Sequence, residues 1–154
     1  MYTQLIQFVA LFLLMMVTCI FWGPWLSLHR SMKTFTKDEF IHIVKVMAAN
    51  LAIPMRIIMP LCILFISLSV VFYQQKDSFG FYMIITSLCL SIVALLVTIL
   101  VEVPIVNQIK QWTTASIPTD VETIQDRWLK FHVIRTFASL ASFACFAASV
   151  LFMH

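Results

Sequence analysis

Residues 81–103 read FYMIITSLCLSIVALLVTILVEV, and Glu102 is the only charged residue in this stretch. A helix of about 20 apolar residues crosses the hydrocarbon core of a bilayer, which is roughly 30 Å thick. Three further apolar stretches of similar length occupy residues 5–26, 53–73 and 133–153. Their uniform hydrophobicity lacks the alternation of a membrane β-barrel. The sequence therefore predicts an all-α fold, a bundle of four transmembrane helices in a single integral membrane domain that comprises residues 1–154.

The composition of the whole chain agrees with a location in the lipid bilayer. Hydrophobic residues make up 62% of the 154 residues and charged residues 11%, and the mean hydropathy is +0.98. Two glycines are too few for a glycine-rich phosphate loop, and ten Lys and Arg do not form the dense positive charge of a nucleic-acid-binding protein. The four cysteines lie far apart in apolar stretches, without the paired spacing of redox or zinc sites. We therefore expect no nucleic-acid partner.

The connection between the first two spans contains a helix start. Thr36 and Glu39 have the spacing of a capping box, in which each side chain satisfies the free backbone amide of the other residue. The residues after Lys37 place apolar side chains on one face, which predicts an amphipathic helix in the 1–2 connection, lying at the membrane surface before it runs into the second span. Four prolines are expected to end, kink or bend the helices, or to mark an interface: Pro24, Pro54, Pro60 and Pro104.

Basic residues outside the spans are distributed unevenly along the chain. Seven lie in the connections between spans 1 and 2 and between spans 3 and 4, whereas Lys76 alone lies on the opposite side. Since basic loops remain in the cytoplasm, this distribution predicts that both termini are non-cytoplasmic. We interpret the chain as a multi-pass integral membrane protein of the bacterial inner membrane.

Two arginines and one glutamate fall inside the predicted spans. Arg56 and Arg135 begin the second and fourth spans from the cytoplasmic side, and Glu102 ends the third span there. The three residues should therefore lie at one depth. A charge inside the bilayer is costly and is normally paired or faces a polar cavity, which favours a shared polar site. The alternative interpretation is that both arginines reach lipid phosphates and Glu102 reaches the headgroups.

The last span carries polar and aromatic residues at regular intervals. They follow each other at spacings of four, three, four and three, which places them on one face of a helix. Small side chains allow helices to pack closely, so packing alone explains the two serines. Packing does not explain a histidine beside an arginine. The residues on this face, which should point into the bundle, are Trp128, His132, Arg135, Ser139 and Ser142.

Two segments carry a resemblance to a known family. The first reads EVPIVNQIKQW from Glu102 to Trp112, and the second reads DRWLKFHVIRT from Asp126 to Thr136. Together they resemble the signature of small four-span integral membrane proteins of largely unknown function that are grouped with the fungal anthrone oxygenases. The resemblance implies a four-helix membrane bundle and the oxidation of a hydrophobic aromatic substrate by dioxygen.

For such an oxidation, a base and a positively charged group of the protein suffice. Once a proton leaves the acidic carbon between the two aromatic rings of an anthrone, the anion reacts with dioxygen without a metal or another cofactor. His132 is the expected base, next to Glu102, and Arg135 and Asn107 are expected to stabilise the oxyanion. The residues expected to line a cavity at the cytoplasmic end and to bind the substrate are Trp112, Trp128, Arg56, Trp25 and Asn50.

Two other functions remain open at this point. Helical bundles commonly hold haem or metals, and His29, His42, His132 and Glu102 are the available ligands, although no histidine pair at i, i+4 supports such a site. Alternatively, the polar cluster recognises a lipid headgroup or a quinone, or packs against a partner helix, in a non-enzymatic accessory protein. We expect a small hydrophobic or aromatic ligand, and the sequence leaves association into a homo-oligomer open.

Overall fold

The structure, a computed structural model, describes residues 2–113 and 117–152. This part of the chain contains no strand, and four of its helical segments are long and apolar enough to cross a membrane. The predicted all-α bundle with four spans is therefore confirmed. The helices are α1 (Tyr2–Leu28), α2 (Lys37–Val71), α3 (Phe79–Val97), α4 (Val103–Lys110) and α5 (Val121–Leu151), and a π-helical turn (Thr98–Glu102) joins α3 to α4 without a break.

The capping box at the start of α2 forms as the sequence predicts. The Thr36 amide donates to Glu39 Oε2 at 2.7 Å, and the Glu39 amide donates to Thr36 Oγ1 at 3.3 Å. The helix that begins at Lys37 continues to Val71 as one element of 35 residues. The amphipathic segment of the 1–2 connection is thus the first part of the second spanning helix and has no boundary of its own.

The prolines inside the spans do not end their helices. Pro24 lies within α1, which continues to Leu28, and Pro54 and Pro60 lie within α2. The prediction that Gly23-Pro24 ends or kinks the first helix is wrong about the end, because α1 continues past Pro24. A spanning helix tolerates the loss of one amide donor when the surrounding helix hydrogen bonds are kept.

Pro104 has a larger effect on the third span. Its ring would clash with the carbonyl group four residues earlier, and it has no amide proton to donate. The preceding turn is widened, so that the Val103 amide donates to the Thr98 carbonyl oxygen five residues back. The span then continues as α4 to Lys110 instead of ending near residue 103. Widened turns of this kind are frequent at functional sites, and this one leaves the Glu102 side chain 2% exposed.

Hydroxyl groups connect the helices in the middle of the bundle. Ser142 on α5 donates to the Ser87 carbonyl oxygen at 2.8 Å, and its hydroxyl lies 2.8 Å from that of Ser91. The hydroxyl groups of Thr18 and Ser139 are 2.9 Å apart and join α1 to α5. Ser139 and Ser142 are both buried, so the inward face predicted for the last span is confirmed.

Two separate hydrophobic clusters hold the helices together. The first, which we call the membrane cluster, lies among α1, α2, α3 and α5, and the second, the connection cluster, joins the starts of α2 and α5 to α4. Lys45 strengthens the connection cluster by donating to the Trp112 carbonyl oxygen at 2.6 Å. The membrane cluster includes Leu14, Phe21, Met59, Ile66, Ile84 and Phe146. The connection cluster includes Met32, Phe40, Val44, Ile109, Trp112 and Trp128.

Candidate active site

A cavity of about 330 Å³ lies between the two clusters. Phe21 and Met59 of the membrane cluster line one end, and Val44 and Trp128 of the connection cluster line the other. The wall between them is mostly apolar, as is usual for a site that binds a small hydrophobic molecule. Since α2 and α5 both contribute to the lining, these two helices face each other across the cavity.

The cavity opens sideways, toward the lipid that would surround the bundle. Pro60 on α2 lines it and is exposed. On the opposite edge, Ile99 in the π-helical turn and Val103 at the start of α4 also line it, and their side chains are 51% and 44% exposed. The gap between α2 and the joined helices α3 and α4 therefore forms a lateral opening with apolar edges.

Three ionisable side chains meet at the buried wall of the cavity. The Arg135 guanidinium lies 3.4 Å from Glu102 Oε2. Its Nε and Nη2 atoms lie 3.2 Å and 2.9 Å from His132 Nδ1. The guanidinium also stacks over the ring of Phe21, with 4.6 Å between its central carbon and the ring centroid. Of the two arginines in the spans, Arg135 is therefore the partner of Glu102, and it fixes His132 as well.

The contact with Arg135 determines which nitrogen of His132 carries the proton. A guanidinium has five donors and no acceptor, so Nδ1 must accept the hydrogen bond and cannot itself be protonated. The hydrogen of the neutral ring is consequently on Nε2. In this structure the only free lone pair of the neutral ring accepts the hydrogen bond from Arg135, and Nε2 presents an N–H donor. The general-base role of His132 needs that lone pair, and it stays a prediction.

Several polar atoms at this wall have no hydrogen-bond partner among the described residues. These atoms are Oε1 and Oε2 of Glu102, Nε2 of His132 and Nε1 of Trp128. The ion pair between Glu102 and Arg135 does not have the geometry of a hydrogen bond. All three side chains are at most 4% exposed and line the cavity. Each buried polar atom without a partner costs about 1–3 kcal/mol. Because the three side chains line the same cavity, this wall is the candidate site.

The two donors are held in parallel. The rings of Trp128 and His132 stack with 5.6 Å between centroids and an interplanar angle of 11°. Phe40 packs edge-on against the other side of Trp128 at 6.0 Å. The one-turn spacing on α5 produces this stack, so the helix itself orients both N–H groups.

The comparison with known protein families gives a match over most of the chain. The family described as anthrone oxygenase matches residues 47–145, which is 99 of the 154 residues. The chain belongs to the anthrone oxygenase family. The resemblance noted from the segments around Glu102 and His132 is thereby confirmed. No curated protein and no solved structure matches the chain.

The matched segment contains most of the polar groups at the cavity. Glu102, His132 and Arg135 lie within it, as do Asn107 and Arg56, and all of them line the cavity. Trp128 also lies in the matched segment and lines the cavity. Phe21, which supports the Arg135 guanidinium, lies on α1 before the segment that matches the anthrone oxygenase family.

Three residues expected at the site lie elsewhere. Trp25 packs against Trp22 and Phe137, with centroid distances of 4.8 Å and 5.2 Å. Asn50 is exposed, and Trp112 is buried in the connection cluster. None of the three lines the cavity. Trp25 and Asn50 lie on faces of α1 and α2 that do not line the cavity, and Trp112 follows the end of α4 and packs in the connection cluster.

Two features of this candidate site were not predicted from the sequence. The π-helical turn brings Thr98 and Ile99 to the cavity, and the signal for it was Pro104, which was interpreted only as an interface residue. Lys110 also lines the cavity. Among residues 2–113 and 117–152, no three side chains of His, Cys, Asp or Glu are grouped closely enough to hold a metal ion.

Proposed function

We propose that this protein catalyses the oxidation of a planar hydrophobic aromatic compound, an anthrone or a close analogue, by dioxygen. The observation that carries the proposal is the wall of the cavity, where the buried Glu102 carboxylate and the buried His132 N–H both lack a hydrogen-bond partner among the described residues. Family membership supports the same reaction class. A carboxylate beside an N–H donor suits the removal of a proton from a carbon whose anion is delocalised through the rings onto a carbonyl oxygen.

In the proposed reaction, Glu102 accepts a proton from the carbon between the two aromatic rings. The electron pair of the broken C–H bond moves onto the ring carbonyl oxygen, and His132 Nε2–H stabilises this oxyanion. Arg135 holds both residues: its charge offsets that of Glu102, and its hydrogen bond keeps the His132 proton on Nε2. Trp128 offers a second donor and a flat surface for stacking.

The electron-rich carbanion then reacts with dioxygen. A bond forms between the ring carbon and one oxygen atom, and the proton held by Glu102 passes to the other oxygen atom. Loss of water from the resulting hydroperoxide leaves a carbonyl group. The net change converts one CH2 group and one O2 molecule into one C=O group and one water molecule. The apolar walls support this sequence, because they exclude bulk water from the anion, and the lateral opening suits a substrate dissolved in the bilayer.

Consumption of oxygen by the purified protein tests this proposal. We expect the full-length protein in detergent to convert an anthrone into the anthraquinone with one O2 consumed per quinone formed, faster than the spontaneous reaction in the same detergent. The rate should be unchanged after dialysis against a chelator, because the reacting groups belong to the chain itself. Saturable binding of the anthrone without accelerated O2 uptake would contradict catalysis and support a non-enzymatic, ligand-binding membrane protein.

We further propose that both termini are non-cytoplasmic and that the cavity lies in the cytoplasmic half of the inner membrane. The uneven distribution of loop cations supports this orientation. In a variant without native cysteines, Ser78→Cys should react with an impermeant thiol reagent on intact cells, whereas Thr119→Cys should react only after permeabilisation. The reverse labelling pattern would contradict the orientation.

A further inference from the structure

The charges around the cavity do not balance. The side chains of Arg56, Lys110 and Arg135 line it, whereas Glu102 is the only acidic residue on its wall. Glu102 pairs with Arg135. None of the ion pairs between described residues involves Arg56 or Lys110. Lys110 ends α4, next to the connection between spans, but Arg56 lies well inside a spanning helix.

Arg56 lies at the depth of Glu102. The hydrogen bond from Lys45 to the Trp112 carbonyl oxygen sets the register between the antiparallel segments α2 and α4. Arg56 follows Lys45 by eleven residues and Glu102 precedes Trp112 by ten. At 1.5 Å per residue, both lie about 15 Å along their helices from this contact. The two residues therefore lie at about the same level along the bundle, and both line the cavity.

Arg56 is the charged group of an otherwise apolar opening. It is exposed, as are its neighbours at the lateral opening, Pro60, Ile99 and Val103. An arginine that faces hydrocarbon at this depth is costly, and such residues commonly mark the path or the site of a substrate. The guanidinium has a planar fork of donors that matches a carboxylate or a phosphate. Among the described residues, no acidic side chain forms an ion pair with Arg56.

We propose that Arg56 binds an anionic oxygen group of the ligand, so that the ligand is a planar hydrophobic compound with an ionised acid group at one end. The flat rings lie against Trp128 and His132, and the acid group lies in the lateral opening. The inference rests on the proposed function only in taking the ligand to be an aromatic ring system. A lipid phosphate offers the same anionic oxygens, and the experiment below separates these two sources.

Binding of two matched probes to the purified full-length protein tests this inference. The probes are anthraquinone-2-carboxylate and the neutral anthraquinone-2-carboxamide, and binding is followed by quenching of tryptophan fluorescence in a maltoside detergent. We expect the wild-type protein to prefer the carboxylate by at least about tenfold, the effect of a charge-assisted hydrogen bond. Arg56→Gln should abolish this preference without changing the affinity for the carboxamide. Arg56→Lys should keep part of it, since the charge remains but the fork is lost.

Arg127→Gln is the matched control, because Arg127 is exposed and does not line the cavity. It should leave both affinities unchanged.

The same measurements are repeated in phosphatidylcholine nanodiscs, where the preference should persist. Its loss there would assign Arg56 to lipid phosphate and overturn the inference. Equal binding of the two probes by the wild-type protein, no binding of the carboxylate, or equal weakening of both by Arg56→Gln would overturn it as well. A retained preference without oxidation would contradict the proposed function alone.

Discussion

Glu102→Ala is expected to lower the free energy of unfolding by about 3–5 kcal/mol, because it leaves the buried guanidinium of Arg135 without its counter-ion. The Arg135 side chain is 13% exposed and that of Glu102 is 2% exposed, so solvent cannot replace the lost partner. The loss should appear as a sharply lower midpoint of thermal unfolding in detergent. This is the largest stability effect that the structure predicts for a single substitution at the cavity.

A second variant separates the ion pair from simple loss of packing. The double substitution Glu102→Ala with Arg135→Met removes both charges and should recover part of the stability, because a buried pair costs more to break than to replace by apolar groups. Glu122→Ala is the exposed control. Glu122 pairs with Lys37 at 3.2 Å with both side chains more than half exposed, and such pairs contribute roughly 0–1 kcal/mol. A double variant no more stable than Glu102→Ala alone would argue against the ion pair as the cause.

Glu102→Gln is expected to lower turnover of an anthrone by roughly 10²- to 10⁴-fold, because the amide keeps the shape of the side chain but cannot accept the proton. The measurement is the initial rate of O2 uptake per folded protein, with the folded fraction taken from size-exclusion chromatography. Glu122→Gln serves as the matched control and should leave the rate unchanged, since Glu122 is exposed and does not line the cavity.

The role of His132 is tested in the same assay. His132→Gln keeps an oxygen that accepts from Arg135 and an N–H group that can donate to the substrate, so it should retain most of the rate. His132→Ala removes the donor and should lose about 10²- to 10³-fold. His42→Ala, on an exposed part of α2, is the control and should have no effect. Equal loss for the glutamine and the alanine variants would show that His132 acts as the base, contrary to the hydrogen-bond arrangement.

The sequence was sufficient to predict the elements and their order. Four apolar stretches long enough to cross a bilayer predicted the four spans, and Thr36 with Glu39 predicted where α2 begins. The spacing of Trp128, His132 and Arg135 predicted that they share one face of α5. These features depend on the length, hydropathy and periodicity of a single segment, which are properties of local sequence.

The details of the site depended on how the helices are arranged. The sequence predicted that Glu102 would pair with one of two arginines, but the pairing with Arg135 depends on the π-helical turn before Pro104, which rotates Glu102 toward α5. Likewise, the proton on His132 Nε2 follows from a contact that only the packed bundle forms.

The sequence by itself therefore determined that this chain is a four-span membrane bundle with charged groups at one depth, and which residues of α5 share a face. Only the tertiary structure showed that Trp25, Asn50 and Trp112 do not line the cavity, that Arg56 does, and that Arg135 pairs with Glu102 and donates to His132 Nδ1. The physical reason is that hydropathy and helical period define how deep a residue lies and which neighbours share its face. The direction in which that face points is set by the rotation and packing of whole helices against one another.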